Sequence, residues 1–270
     1  MSFFNTIGRT MGRSTRLKSK GMGMPSYEAQ MDLRDDPRMQ SGEPKPLYLC
    51  QPFVRSTLIK GSFKTIVALP KYVHPYEWIA VNLFDFFHNL NLFCAVIAES
   101  CTPQKCSTMS AGVGLDYTWV DVNRKPIHLP APQYIDYVMT WIGQLLDDEA
   151  VFPTKSGRDF PPAFLSVARQ MYMQMLRIFA HIYHAHFPLL LHVQCECHFN
   201  SLFAHFIAFG KEFGLFNFRL FKSGGIAALD EVSMQGPLIA PNGDYVPYPG
   251  VCDLMERWVY RGILPKEVLL

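Results

Sequence analysis

A mainly α fold is predicted for this 270-residue chain, an antiparallel four-helix-bundle core with a small β-hairpin and a disordered N-terminal tail, and three features carry the prediction. Four stretches place apolar residues at helical spacing. Two cysteines, Cys101 and Cys106 in Cys-Thr-Pro-Gln-Lys-Cys, and three histidines, His181, His184 and His186 in Ala-His-Ile-Tyr-His-Ala-His-Phe, supply the thiolates and imidazoles that tetrahedral zinc prefers. The first 45 residues are polar, lack periodicity and end in Gly-Glu-Pro-Lys-Pro, as expected of a tail and linker. The core is therefore expected to be zinc-stabilised.

The first helical stretch starts at Tyr76. Trp78, Val81, Leu83, Phe84, Phe86, Phe87, Leu90 and Phe93 cover too much of its circumference for a surface element, so it is expected to be largely buried. The Cys pair follows directly. Tyr117, Trp119 and Val120, set among Gly, Asp, Asn and Pro, suggest the hairpin. Pro132 then opens a helix with Tyr134, Val138, Trp141 and Leu145 on one face, ending near Phe152-Pro153. A third helix is expected from about Pro162 to His186, and a fourth from about Phe199 to Phe213 with Leu202, Phe206, Phe209 and Phe213 in one stripe. Four helices of this length in a short chain imply an antiparallel bundle. Past Leu215, Gly224-Gly225, Gly236-Pro237, Pro241, Pro247 and Pro249-Gly250 interrupt any pattern until a helical stretch from Asp253 to Gly262. The organisation expected is a tail over 1–45, a helical domain over 46–216 and a divergent C-terminal extension, with an insertion, over 217–270.

Hydrophobic residues make up 49% of the chain, enough for one packed core. The net charge of +2 hides Arg9, Arg13, Arg16, Lys18 and Lys20, with no acid before residue 22, so the remainder carries −3. A mildly acidic core does not point to nucleic acid. Seven cysteines, an odd number, fit a reducing compartment better than a disulfide framework. The N-terminus has no apolar stretch of signal-peptide type, and no uninterrupted run approaches the roughly 20 apolar residues of a transmembrane segment.

The metal ligands are not settled by spacing. Two reduced, packed cysteines are the alternative to a metal, and the histidines compete among themselves. On a continuous α-helix His181 and His184 lie roughly 60° apart, whereas His181 and His186 lie roughly 140° apart. Phe187 precedes Pro188, which disfavours helical geometry there and would place His186 in a fraying last turn, free to swing back. Both pairs stay open on geometry. His192, Cys195, Cys197 and His198 form a poorer cluster, since thiols two apart on a helix point about 200° from each other. Cys50, Cys94 and Cys252 read as small apolar side chains, Met171, Met173 and Met175 as core filling, and Asp147-Asp148-Glu149 as a solvated helix end.

Glu77-Trp78-Ile79-Ala80-Val81-Asn82, Asp85-Phe86-Phe87, Met109-Ser110-Ala111, Ala131-Pro132-Gln133-Tyr134-Ile135-Asp136-Tyr137 and Ala180-His181-Ile182-Tyr183, in this order, resemble the Mob (phocein-like) kinase coactivators over about residues 60 to 216. The segment from Asp148 to Pro161 looks most like the second Mob class, partners of NDR-type kinases. The resemblance implies one structural zinc on Cys101, Cys106, His181 and His186. It implies a binding surface for the N-terminal regulatory segment of an NDR/LATS-family AGC serine/threonine kinase, formed by Glu77, Trp78, Asp85, Asn89, Leu92, Phe93, Val193, Gln194 and His205. Glu77 and Asp85, eight residues apart, stand about 80° from each other around a helix and two turns along it. Val73 and His74 occupy positions where the first Mob class carries acids. That class binds phosphopeptides through three cations on the helix before the His cluster. The matching residues here are Met173, Gln174 and Arg177, so this site is degenerate and phosphopeptide binding is expected to be weak or absent.

The function expected is that of a non-catalytic adaptor and coactivator in polarity, morphogenesis and cell-division signalling. It would act in the cytoplasm, with the cell cortex, sites of polarised growth and division and the nucleus as further locations. A zinc-dependent hydrolase is the rival from another class; it needs an open coordination position and a nearby base, and the sequence lacks His-Glu-x-x-His. An inert scaffold of the same fold is the third reading.

Overall fold

The computed structural model describes residues 45–112, 115–121, 123, 125–153, 157–222 and 251–270. The expected tail and the Gly/Pro-rich stretch before residue 251 lie outside them. The described residues from Pro46 onward form one compact unit. Its helices are α1 (Phe63–Val67), α2 (Pro75–Ile97), α3 (Ala131–Asp147), α4 (Phe164–His181), α5 (Phe187–His192), α6 (Glu196–Glu212), α7 (Phe218–Lys222) and α8 (Val251–Tyr260). Short 3-10 turns lie at Leu47–Leu49, Phe53–Arg55 and Lys266–Leu269.

α4 and α6 form the centre. Residues 199–210 of α6 are all buried, as are Met171, Tyr172 and residues 174–181 of α4. Phe179 packs on Phe199, Phe203 and Phe206 with ring centroids 4.9–5.4 Å apart, and Tyr172 lies flat on Phe206 at 3.9 Å while its hydroxyl donates to the Phe206 carbonyl at 2.9 Å. Glycine at 210 is required there, because a Cβ would overlap the Tyr172 hydroxyl. Met171 and Met175 are fully buried and Met173 partly so, as core filling requires.

α2 starts cleanly. Pro75 occupies its first turn, and His74 Nδ1 accepts the Tyr76 amide at 3.2 Å as the cap. Ile79, Leu83, Phe86, Leu90, Phe93 and Ile97 form a buried 4-3-4-3-4 seam. Leu92, expected on the binding surface, is 40% exposed; the expectation of a largely buried helix fails at Val81 and Phe84, which are 55% and 54% exposed. Their apolar character was mistaken for burial. By length and composition α2 is the one helix among the described residues that would suffice to cross a bilayer, although its buried seam packs on α4 and, through Phe86, on His205, Phe206 and Phe209 of α6.

Two antiparallel hairpins replace the single one expected. β1 (Met109–Gly112) pairs with β2 (Leu115–Tyr117), with a bulge between Ser110 and Gly112, and β3 (Trp119–Val120) pairs with β4 (Pro126–Ile127). Within the extension assigned to 217–270, the helix expected over Asp253 to Gly262 is found as α8 over Val251–Tyr260. α8 is built into the unit: Trp258 is fully buried, its indole N–H donates to the Val54 carbonyl at 2.8 Å, and its ring centroid lies 5.9 Å from that of Phe203. The N-terminal turns are clamped to α6 by Asn200, whose amide donates to the carbonyls of Phe53 and Ser56.

Candidate metal centre

Helix ends and turns aim the two thiols. The Cys101 amide donates to the Ile97 carbonyl at the end of α2, and the Cys106 amide to the Thr102 carbonyl, both at 2.8 Å, while the Cys106 carbonyl accepts the Ala131 amide that opens α3. Across from them, α4 ends at His181 and one π-helical turn, Ile182–His186, follows. A π turn bonds residue i to i+5, so residues five apart come into line, which an α-helix does not allow. This resolves the competition among the histidines. His181 and His186 are 1% and 4% exposed with ring centroids 5.1 Å apart, whereas His184 points outward. The expected break falls at His186 itself (φ −126°, ψ 3°), whereas Phe187 keeps helical angles (φ −57°, ψ −39°) although it precedes proline, and Pro188 sits in the first turn of α5.

The ligand atoms of Cys101, Cys106, His181 and His186 all lie within 4.8 Å of one another. Cys101 Sγ is 3.5 Å from His181 Nε2, and Cys106 Sγ is 3.6 Å from His186 Nε2. Second contacts fix the tautomers. His181 Nδ1–H donates to the Ser110 carbonyl at 2.7 Å. The Ser100 hydroxyl gives its proton to the Ile97 carbonyl at 3.0 Å, so it accepts from His186 Nδ1–H at 3.1 Å. Both Nε2 lone pairs are thus presented toward the sulfurs, the arrangement in which a histidine ligates metal. Sequence reasoning did not assign Ser100 and Ser110 this role; the Met109-Ser110-Ala111 motif was the only signal for Ser110, and Ser100 had none beyond standing next to Cys101.

Burial pushes the Cys101 thiol up to about 12, the neighbouring Cys106 adding to the rise. Burial pulls His181 and His186 down to about 4. The Cys101 thiol and the two imidazoles are therefore held neutral by burial; a divalent ion would reverse the thiol preference by taking thiolate directly, releasing protons. Four protein ligands form a closed set able to hold a metal ion. No second group of three or more converging ligands occurs among the described residues, His192, Cys195, Cys197 and His198 included.

The residues expected to meet the kinase lie on two neighbouring helices and the turn between α5 and α6. Glu77, Val193 and Gln194 are exposed, Leu92 is 40% exposed, Trp78 and Asp85 are half-buried, and Asn89, Phe93 and His205 are buried. Trp78 donates to the Val67 carbonyl, Asn89 to that of Asp85, and Phe93 packs on Phe199 at 4.9 Å. His205, with its pKa pulled down to about 4 by burial, lies 4.9 Å from Phe86.

Of the three positions expected to form a degenerate phosphopeptide site, Gln174 and Arg177 are buried and Met173 is half-buried. Arg177 Nη1 donates to the Tyr134 hydroxyl at 2.8 Å, Tyr134 donates to Gln174 Oε1 at 2.9 Å, and the guanidinium lies 4.9 Å from the centre of the Tyr117 ring. This relay ties α3, α4 and β2 together. Gln174→Arg therefore removes the acceptor for Tyr134 and adds a second buried cation beside Arg177, and should cost about 2–4 kcal/mol, whereas half-buried Met173→Lys should cost less than about 1. Thermal denaturation of the two variants checks this; equal losses would remove the relay from the account.

A helical bundle closed at one end by a Cys2His2 cluster agrees with what sequence comparison finds. Residues 55–222 match the Mob1/phocein family, and the chain belongs to that family. Its likeness is to the second Mob class. It is 56% identical over 179 residues to the maintenance of ploidy protein mob2 of Schizosaccharomyces pombe, covering 66% of this chain and 73% of that protein. It is 53% identical over 170 residues to the CBK1 kinase activator protein MOB2 of Candida albicans, covering 63% and 54%, and 53% identical over 167 residues to the protein of that name in Saccharomyces cerevisiae, covering 62% and 58%. The chain thus spans between about half and three quarters of these relatives.

Proposed function

We propose that this protein is a non-catalytic, zinc-stabilised coactivator that binds the N-terminal regulatory segment of an NDR/LATS-family AGC serine/threonine kinase. The observation that carries the reading is the 53% identity to two proteins named CBK1 kinase activators. The site agrees with it. Zinc bonds of about 2.3 Å to sulfur and 2.0–2.1 Å to nitrogen at a tetrahedral angle separate S from N by roughly 3.6 Å, and the two Sγ···Nε2 distances are 3.5 and 3.6 Å. Such an ion pins the end of α2 to the end of α4 and supplies no chemistry. With all four positions filled by protein, the arrangement is that of a structural rather than a hydrolytic centre.

Binding would work through α2. Glu77 and Asp85 offer negative charge to a basic segment, and the exposed apolar side chains beside them offer the area that holds it. By binding the active arrangement of the kinase better than the inactive one, the protein shifts the kinase's equilibrium. The same reading places it in the cytoplasm and at sites of polarised growth. Kinase assays with the full kinase and with the kinase lacking its N-terminal regulatory segment test it: stimulation of the first alone is expected, and equal stimulation of both, or of neither, refutes it.

The two kinds of contact separate kinetically. Asp85→Lys should slow association with a basic regulatory peptide, the loss growing as salt is lowered, because charges are screened over about 8 Å at physiological ionic strength. Leu92→Ala should shorten the complex lifetime at every salt concentration. Leu92 is the residue to use, since truncating Phe93 would also open the contact with Phe199. Surface-based kinetics on both variants checks the point.

A further inference from the structure

Tyr72 breaks a local rule of chain geometry. The Val73 amide donates to the Pro70 carbonyl at 3.3 Å, closing a β-turn over Pro70-Lys71-Tyr72-Val73, and Tyr72, its third residue, has φ +69°. A turn with positive φ at that position calls for glycine or asparagine, because a Cβ there crowds the backbone. Tyrosine takes the place at a cost in free energy, and nothing in the fold repays it: the side chain is 92% exposed. Strain kept in the absence of packing marks a position held for something outside the molecule. One other described non-glycine residue has positive φ, Gln194 at +57°. It ends α5 where glycine would serve, the Cys195 amide bonding back to Leu190 and its own amide to Leu191. Gln194 already belongs to the proposed kinase-binding set, so both strained positions lead into elements of one surface: Tyr72 into α2, Gln194 into α6.

The chemistry of the occupant is indicated within the turn. Lys71 Nζ lies 4.8 Å from the centre of the Tyr72 ring, so the ring face takes a cation in this protein's own structure. Glu77, exposed in the first turn of α2, adds negative charge a few residues on. Directly after the turn, His74 caps α2 and lies edge-on to Tyr76 with ring centroids 5.3 Å apart, fixing where the helix starts. The geometry points to Tyr72 as an aromatic anchor that takes an arginine or lysine side chain of the kinase's basic regulatory segment across its ring face, displacing Lys71 and extending the α2 surface past the helix start. This inference rests on the kinase-coactivator reading and adds a specificity-determining residue to it.

The test uses the full chain, its Tyr72→Gly and Tyr72→Phe variants, and a synthetic peptide of the basic N-terminal regulatory segment of an NDR-family kinase, together with single Arg→Gln and Lys→Gln versions of that peptide, followed by calorimetric titration and thermal denaturation. Tyr72→Gly should melt at the same temperature or higher, since glycine relieves the turn, yet bind the peptide about fivefold more weakly. Tyr72→Phe should bind within about twofold of the unmodified protein, because the ring face remains. One cation of the peptide should matter to the unmodified protein and cease to matter to Tyr72→Gly. Unchanged binding by Tyr72→Gly overturns the anchor and leaves the coactivator reading intact, and a lowered melting temperature in that variant overturns it by giving Tyr72 a structural role. Absence of peptide binding by the unmodified protein refutes the coactivator reading, and the anchor with it.

Discussion

Cys101→Ser and His186→Ala should each lower the melting temperature by roughly 10–20 °C, or leave a protein that does not purify folded, while His184→Ala should melt within about 3 °C of the unmodified protein. The difference follows from the π turn, which buries His186 against Cys106 and leaves His184 outside. Apparent zinc-binding free energies in small fingers are about 10–16 kcal/mol, as large as the whole stability of many domains, so losing one ligand in four removes several kcal/mol. A domain of this size loses about 2–4 °C per kcal/mol. Differential scanning fluorimetry with and without a chelator, alongside zinc content by mass spectrometry, reads both halves of the claim. The ligand variants should lose zinc and chelator sensitivity together, and equal effects from His184 and His186 would overturn the assignment.

Trp258→Ala should cost about 4–6 kcal/mol. Removing a fully buried indole leaves a cavity worth about 3–5 kcal/mol beside Phe203, and the Val54 carbonyl loses its donor for about 1 more. Trp258→Phe, which restores most of the volume without the N–H, should cost about 1–2 kcal/mol. Urea unfolding with an unchanged slope is the measurement. A detachable C-terminal segment would give no change in either variant, and that result would remove α8 from the core.

The helices were legible in the sequence because their apolar residues recur at helical spacing: Tyr134 and Val138 of the expected α3 stripe are buried, although Ile142 fills the seam in place of half-buried Trp141 and Leu145, and Leu202, Phe206 and Phe209 are buried on α6, with Phe213 half-buried. Both cysteines of the cluster were legible too, as sequence-local ligands between two elements. His186 was legible only through the family resemblance, since the angle of 140° that counted against it holds only on a regular α-helix, and a one-turn change of winding leaves no trace in hydrophobic period. The rule that the residue before proline avoids helical angles pointed to a helix end at Phe187; the proline in fact serves as the first turn of the next helix, where no amide is needed. α8 was legible as a helix, but its place in the core was not. Twenty-eight residues between Lys222 and Val251 separate it from α7 in sequence, and its partners Val54 and Phe203 stand far from it along the chain, so no local pattern announces that it completes the core. On α2, periodicity gave the helix and misled about its face, because Val81 and Phe84 are as hydrophobic as the residues that are buried.

The π turn also sets a phase. One extra residue wound between α4 and α5 rotates everything downstream by about 100° relative to an uninterrupted helix, the angle of a single residue. His181 stands just before that offset and His186 at its end, so an ion held by both would lock the azimuth at which α5 leaves and, with it, the direction in which the Gln194 turn faces. The metal would then act on the distant surface as a key in a shaft acts on the wheel it carries, fixing the angle without touching the rim.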